Sequence, residues 1–324
     1  MNKRLLVSLG LGLLLSGSIH AQTTTGYPSR PVKIIVPYGA GGMVDAAARF
    51  LGKAVQEALG QPVVVENKPG AGGAIAGSEV AKAAPDGYTL LLDSLGTLIT
   101  SSLTNTQLPF DAWRDFIPVA TITRQPLLVG VRANLPANNL AELVALAKSK
   151  PGSLSFGSPG KGTEVHLVTE LLKNEAKLDM LHVPYKGGGP AVIDLAAGRI
   201  DLLIITASAL RPALEQGKVR IIATLNPERL AALPNVPTVV EAGYPNLVHV
   251  PYTALFAPAK TPPAVIQHWA QVLPKLRGDA SMQKWAESTG AEISVLDPAA
   301  VSKLMQAERQ KWKPIIDKLD PADR

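Results

Sequence analysis

Lys33-Ile34-Ile35-Val36 runs straight into Pro37-Tyr38-Gly39-Ala40-Gly41-Gly42 and then into a helical pattern that begins near Met43. About 120 residues later the succession returns: Leu154-Ser155-Phe156, then Gly157-Ser158-Pro159-Gly160-Lys161-Gly162, then Thr163, a natural N-cap for a helix through Leu172. Both stretches read as strand, glycine-rich turn, helix. Each turn can be a tight connection in which glycine only supplies positive φ. It can equally leave backbone N–H groups and the positive end of a helix dipole facing outward, where an anion is favoured. Two such ends in two lobes would grip one ligand from opposite sides. The further runs Pro69-Gly70-Ala71-Gly72-Gly73 and Val183-Pro184-Tyr185-Lys186-Gly187-Gly188-Gly189 favour the second reading.

Outward from these units, short apolar runs alternate with helix-length segments. Val63 to Glu66, Thr89 to Leu92, Leu127 to Val131, Asp201 to Ile205 and Val219 to Ala223 are the other strand candidates. The alternation predicts an α/β fold with parallel sheets and helices on both faces. The first helix is well marked: Val44, Ala47, Leu51, Ala54, Val55 and Ala58 recur at helical spacing, and Gly60 with Pro62 ends it.

At the N-terminus, Lys3 and Arg4 precede an apolar run from Leu5 to Leu15 and a small-residue stretch ending at Ala21. This is the layout of a secretory signal peptide over residues 1–21, cleaved near Ala21. The run is too short for a membrane span, which needs about 20 residues. A mature chain of about 300 residues is long enough for two domains, and a bacterial periplasm is the expected location. The sequence contains no cysteine, which excludes a lipid anchor on a cysteine, disulfides and thiolate metal sites.

The net charge of +6 falls to +4 once Lys3 and Arg4 leave with the leader. The basic residues are interspersed with acidic ones, as in Glu308-Arg309-Gln310-Lys311, so the concentrated basic stripe that nucleic-acid binding needs is missing. Attraction of small anions is the better use of this charge.

The familiar catalytic signatures fail residue by residue. Gly160-Lys161 is followed by Gly162 where a P-loop needs Ser or Thr, and Gly70-Ala71-Gly72 is followed by Ile75 where a dinucleotide fingerprint needs glycine. The hydrolase elbow is missed at Ser94 and Ser158, which have Leu92 and Phe156 where the first glycine belongs. A serine hydrolase using either serine is the alternative from another class. His166, His182, His249 and His268 stand apart without metal-ligand spacing. They read as structural, except that His166, in the first turn of the second helix, could face the cleft. No cofactor and no metal are expected.

Longer stretches carry a family pattern. Ile35 to Asp45 with Ala48-Arg49, Val65-Glu66-Asn67-Lys68-Pro69-Gly70-Ala71-Gly72-Gly73 and Ala81 to Leu91 resemble the Bug family. These are the extracytoplasmic substrate-binding receptors of tripartite tricarboxylate transporters. His182 to Gly187, Asp194 to Asp201 and Leu233 to Gly243 resemble the same family in the same order, so the likeness covers nearly the whole mature chain.

The resemblance implies a type II periplasmic-binding-protein fold, two α/β lobes with a ligand cleft between them, and no catalysis. It implies a small carboxylate ligand (an organic acid, aromatic acid or amino acid) and, as partners, the membrane components of the transporter. A sensor that presents its liganded form to a receptor kinase is a further alternative, and a monomer is expected. Lobe 1 is expected at 22–123 with 250–324 and lobe 2 at 124–249. The implied ligand-binding residues are Tyr38, Gly41, Gly42 and Asp45 in the first turn, and Ser94, Gly96 and Thr97 after the third strand. In the second turn they are Ser158, Gly160, Gly162, Thr163, Glu164 and His166.

Two positions have more than one reading, and a third departs from the family pattern. Asp45 either complements the helix dipole or contacts the ligand, by orienting water or receiving an ammonium group. Glu164 stands where the family pattern usually has a small hydroxyl residue: it is either a solvent-facing first-turn acid or a cleft residue that would repel a second ligand carboxylate. Ile205-Thr206 stands where the pattern often has an acidic or polar residue, which leaves the choice of ligand open.

Overall fold

The computed structural model describes residues 26–105 and 107–319. The signal segment expected at residues 1–21 lies outside the described residues.

Helix formation follows the pattern of the sequence. Helix α1 (Met43–Leu59), after strand β1 (Val32–Val36), buries Val44, Ala47, Ala48, Leu51 and Val55 and ends at Gly60, whose φ of 64° lies in the left-handed region. The chain continues through β2 (Val63–Asn67), α2 (Ala74–Ala81), β3 (Thr89–Ser94), α3 (Leu95–Thr104) and β4 (Phe116–Arg124). The middle of the chain supplies β5 (Leu127–Arg132), α4 (Leu140–Ser149), β6 (Leu154–Ser158), α5 (Glu164–Ala176) and β7 (Met180–Pro184). It then adds α6 (Gly188–Ala196), β8 (Leu202–Thr206), α7 (Ala207–Glu215) and β9 (Val219–Thr224). The last part holds β10 (Tyr252–Pro258), α8 (Pro263–Val272), α9 (Ala280–Thr289), β11 (Glu292–Ile293) and α10 (Pro298–Ile316).

Two separate sheets result, and they share one topology. The first has the order β11-β4-β10-β3-β1-β2 and the second β7-β6-β8-β5-β9. In the first, β1 runs parallel to β2 and β3, and β10 is wedged antiparallel between β3 and β4. In the second, β6 runs parallel to β7 and β8, and β5 is wedged antiparallel between β8 and β9. The expectation of parallel sheets therefore holds for part of each sheet, and both are mixed. β5 and β10 are the strands on which the chain arrives from the other sheet, and they run against their neighbours. This two-sheet α/β architecture is the type II binding-protein fold.

The crossing segments lie side by side. Gln125 N–H donates to the Pro251 carbonyl at 3.1 Å, and the hydroxyls of Thr123 and Thr253 are 2.8 Å apart. Helix α10 spans both halves. Val301 and Met305 pack with Leu98 and Ile99 beside the first sheet, whereas Trp312, Ile316 and the following Leu319 belong to the core around the second. The sequence reading had given this helix entirely to lobe 1.

Candidate functional site: a cleft where helix N-termini converge

Parallel strands followed by helices place helix N-termini at the strands' carboxyl ends. Here the two sheets turn those ends toward each other. The cleft between them is lined by the starts of α1, α3, α5, α6 and α7, through Gly42, Ser94, Glu164, Gly188 and Thr206. At α1, α3, α6 and α7 no N-cap side chain makes a capping bond, so the first-turn N–H groups there are not held by an N-cap side chain. Only α5 is capped, by Thr163, whose hydroxyl oxygen accepts from His166 N–H at 3.3 Å. The lining has a polar part, which includes Tyr38, Ser94, Thr97, Thr163 and Thr206, and an apolar part that includes Met43, Val44, Leu127, Val165 and Ile205.

The lobes touch across the cleft. Thr100 Oγ1 donates to Gly162 O at 2.8 Å, and Gly39 N–H donates to Lys186 O at 3.2 Å. Gly72 approaches so closely that a Cβ there would stand 2.8 Å from the Lys161 carbonyl, at a φ of 61° that already favours glycine. Beside the cleft, and sharing Tyr38 and Pro159 with it, runs a wider crevice lined by Gly72, Asn105, Gly160, Lys161, Gly162 and Lys186.

Glu164 is the least expected feature. It is 1% exposed, and its side chain reaches over to the first lobe, so the solvent-facing reading does not hold. Oε1 accepts a short hydrogen bond from Ser94 Oγ, and Oε2 lies 2.8 Å from His249 Nε2. A Cβ built on Gly96 would overlap Oε2, so the carboxylate lies directly on the backbone of α3. Its own N–H points to Thr97 Oγ1 at 3.3 Å.

Behind it, Lys311 Nζ donates to Val248 O at 3.0 Å and lies 3.2 Å from His249 Nδ1. An ammonium group only donates, so Nδ1 is the acceptor there and the ring proton of His249 sits on Nε2, facing Glu164. Burial lowers the Lys311 pKa, and the nearby carboxylates of Glu308 and Glu164 work against that shift.

Asp93, at the end of β3, is the second buried acid. Oδ1 accepts from Tyr38 Oη at 2.9 Å and from Ser94 N–H at 2.7 Å. Burial raises its pKa to about 7 against the pull of those two donors, and the charge of Glu164 adds to the rise. Burial likewise raises the Tyr38 phenol well above its ordinary value.

Other predicted residues have different surroundings. Asp45 accepts from Gly41 N–H at 3.0 Å, from Asn67 Nδ2 at 2.9 Å and from Arg49 at 2.9 Å. Burial pushes its pKa up, but these partners outweigh it and hold the carboxyl below its ordinary value. Asn67 also donates to Tyr38 O at 2.9 Å, so the group braces the first turn against β2. His166 is fully buried on the opposite face of α5, with its ring stacked 4.1 Å from that of His182. Its Nδ1 accepts from Gly162 N–H at 3.3 Å. Burial, then the neighbouring His182, lowers its pKa to about 3, and burial lowers that of His182 to about 4. Ser158 is also fully buried, with Oγ 2.7 Å from His182 Nε2.

Of the predicted residues, Tyr38, Gly42, Ser94, Thr97, Thr163 and Glu164 line the cleft, and Gly160 and Gly162 line the crevice beside it. Gly96 supports Glu164, and Gly41 supplies the N–H that holds Asp45. Asp45, Ser158 and His166 stand behind the lining. Sequence reasoning missed Asp93, His249 and Lys311. Asp93 carried a signal, a carboxylate closing the apolar run Leu90-Leu91-Leu92.

A family model described as the tripartite tricarboxylate transporter family receptor matches residues 47–320. The chain belongs to that family. BugT of Bordetella pertussis is 35% identical over 97% of this chain and 96% of its own length. The solved periplasmic binding protein BugD is 31% identical, with a TM-score of 0.85 over 92% of this chain and 99% of that one. R. palustris Rpa4515, solved with adipate, is 33% identical, with a TM-score of 0.86 over 90% of this chain and 97% of that one. The Bug resemblance read from the sequence is thus borne out, and the receptor shares the two-lobed binding fold of its relatives.

Proposed function

We propose that this receptor captures a small carboxylate between its lobes in the periplasm and delivers it to the membrane components of a tripartite transporter. The observation that carries the reading is the convergence of five helix N-termini, among the described residues, on one interlobe cleft. Aligned dipoles and first-turn N–H groups favour an anion there without any cofactor, and the apolar lining suits a hydrocarbon body. The adipate held by a structural relative supports the ligand class. On this reading lobe 1 comprises residues 22–123 with 250–324 and lobe 2 residues 124–249, the end of α10 packing against the core of lobe 2.

The test uses the mature chain with a panel of carboxylates and their esters. The expected result is a ligand-dependent rise in melting temperature with the ligand recovered unchanged, because a molecule that binds only the native state stabilises it. The 2.7 Å Ser158–His182 contact is the one observation that favours a hydrolase. Ester turnover that disappears in Ser158→Ala would replace the receptor reading with that one. The full burial of Ser158 argues against it.

A further inference from the structure

We infer that Glu164 is a resident anion of the cleft, occupying the position of one ligand carboxylate, so that the receptor takes monocarboxylates with an apolar body and rejects plain dicarboxylates. The inference rests on the carboxylate-receptor reading and narrows it.

The position of Glu164 is that of a bound ligand group. Its carboxylate lies at the N-terminus of α3, on the far lobe from its own backbone, against the chain at Gly96. It accepts a hydrogen bond from Ser94 Oγ, the N-cap hydroxyl of α3, which makes no capping bond to that helix. Its Oε2 lies 2.8 Å from Nε2 of His249. A helix N-terminus, a serine hydroxyl and an imidazole N–H are what an anion site offers, and here the protein's own side chain takes them.

The positive charge linked to this carboxylate, Lys311, is not part of the cleft lining. Lys311, on α10, approaches Glu164 through the imidazole of His249, lying 3.2 Å from Nδ1. A ligand anion placed beside Glu164 would therefore meet a negative charge on the cleft side, with Asp93 buried next to Ser94 as a second acid. Like charges about 4 Å apart at an effective dielectric near 20 repel strongly enough to cost well over tenfold in affinity before relaxation. The starts of α1, α6 and α7 remain for one carboxylate, and Met43, Val44, Leu127, Val165 and Ile205 remain for its body.

The test is calorimetric titration of the mature wild type, Glu164→Ser and Glu164→Gln with chain-matched pairs, hexanoate against adipate and benzoate against terephthalate. Melting curves confirm that both variants are folded. Wild type is expected to bind the monoacid of at least one pair at least about tenfold tighter than its diacid. Both variants are expected to shift that ratio toward the diacid by at least about tenfold. Glu164→Gln keeps the shape and removes the charge, so a shift in Glu164→Ser alone would reflect space rather than charge and overturns the inference. A wild type that prefers the diacid, or ratios that do not move, also overturns it and leaves the receptor reading intact. Failure of every carboxylate in the wider panel to bind any of the three proteins overturns the receptor reading and this inference with it.

Discussion

Lys311, on the C-terminal helix, lies 3.2 Å from Nδ1 of His249, and the other nitrogen of that imidazole lies 2.8 Å from Glu164 on the second lobe. Helix α10, the irregular segment that leads back into β10, and the cleft are thereby joined in one line of hydrogen bonds. Lys311→Met keeps the packing of the stem but leaves Val248 O and His249 Nδ1 without their donor. The expected cost is about 1–3 kcal/mol in urea unfolding, the range for stranding buried acceptors. In a double-mutant cycle with Glu164→Gln the two losses should couple by at least about 0.5 kcal/mol. Simple additivity would show that no such linkage exists.

Gly96→Ala tests whether the closed form depends on the carboxylate lying against α3. Alanine is ordinarily the better residue inside a helix by roughly 0.5–1 kcal/mol, so a loss here has to be steric. The added Cβ would overlap Oε2 of Glu164 and stand 2.8 Å from its Cδ, but 3.4 Å from its Cβ, an acceptable contact. The single variant should hold the lobes apart, with a larger radius of gyration in X-ray scattering and weaker ligand binding. Gly96→Ala combined with Glu164→Ala should restore the compact form. Scattering curves that coincide for wild type and the single variant count against the account.

How much of this was legible in the sequence depends on how local each determinant is. The two strand–turn–helix units could be read because their causes lie within a dozen residues. Gly41, Gly160 and Gly162 take positive φ values, and Thr163 caps its own helix. The antiparallel wedges β5 and β10 and the bridging helix α10 could not, since they follow from where the chain crosses between sheets. Glu164 points into the cleft because Ser94 and His249, 70 and 85 residues away, receive it. One error was avoidable. Residues two apart on a helix face nearly opposite sides, so Glu164 and His166 could not both enter the cleft. Once Glu164 does, His166 is sent to the core beside His182.

Thr100→Val probes the interlobe contact itself. The change keeps the volume of the side chain and removes the donor to Gly162 O, a 2.8 Å bond from the first lobe to the second. A net loss of about 1 kcal/mol should appear mainly in the closed, ligand-holding state. Ligand affinity should weaken about fivefold, chiefly through faster release in stopped-flow measurements. An unchanged release rate would place the closing energy elsewhere.

Asp93 gives the receptor a pH dependence whose direction can be worked out. Its pKa is raised from an ordinary 3.8 to about 7, chiefly by burial, so folding takes up a proton between those values. Its contribution to stability is full below about pH 4 and is lost as the pH rises through about 7, a change of at most about 4 kcal/mol. His166 and His182 act in the opposite sense. Their pKa values are lowered from 6.5 to about 3 and about 4, so their contribution is full above pH 6.5 and falls away in acid. The raw pH profile therefore mixes the two, and the informative quantity is the difference between wild type and Asp93→Asn. Asparagine can still accept from Tyr38 Oη and Ser94 N–H through its carbonyl oxygen. The variant should gain on wild type steadily between about pH 4 and 7 in melting temperature and run parallel to it below and above that window. As the pH rises through about 7 the ionising carboxyl adds negative charge beside Ser94, so wild type should lose affinity for an anionic ligand while Asp93→Asn holds it. Melting curves that stay parallel from pH 4 to 7 would mean that Asp93 is already ionised in the fold, with Tyr38 and Ser94 outweighing its burial.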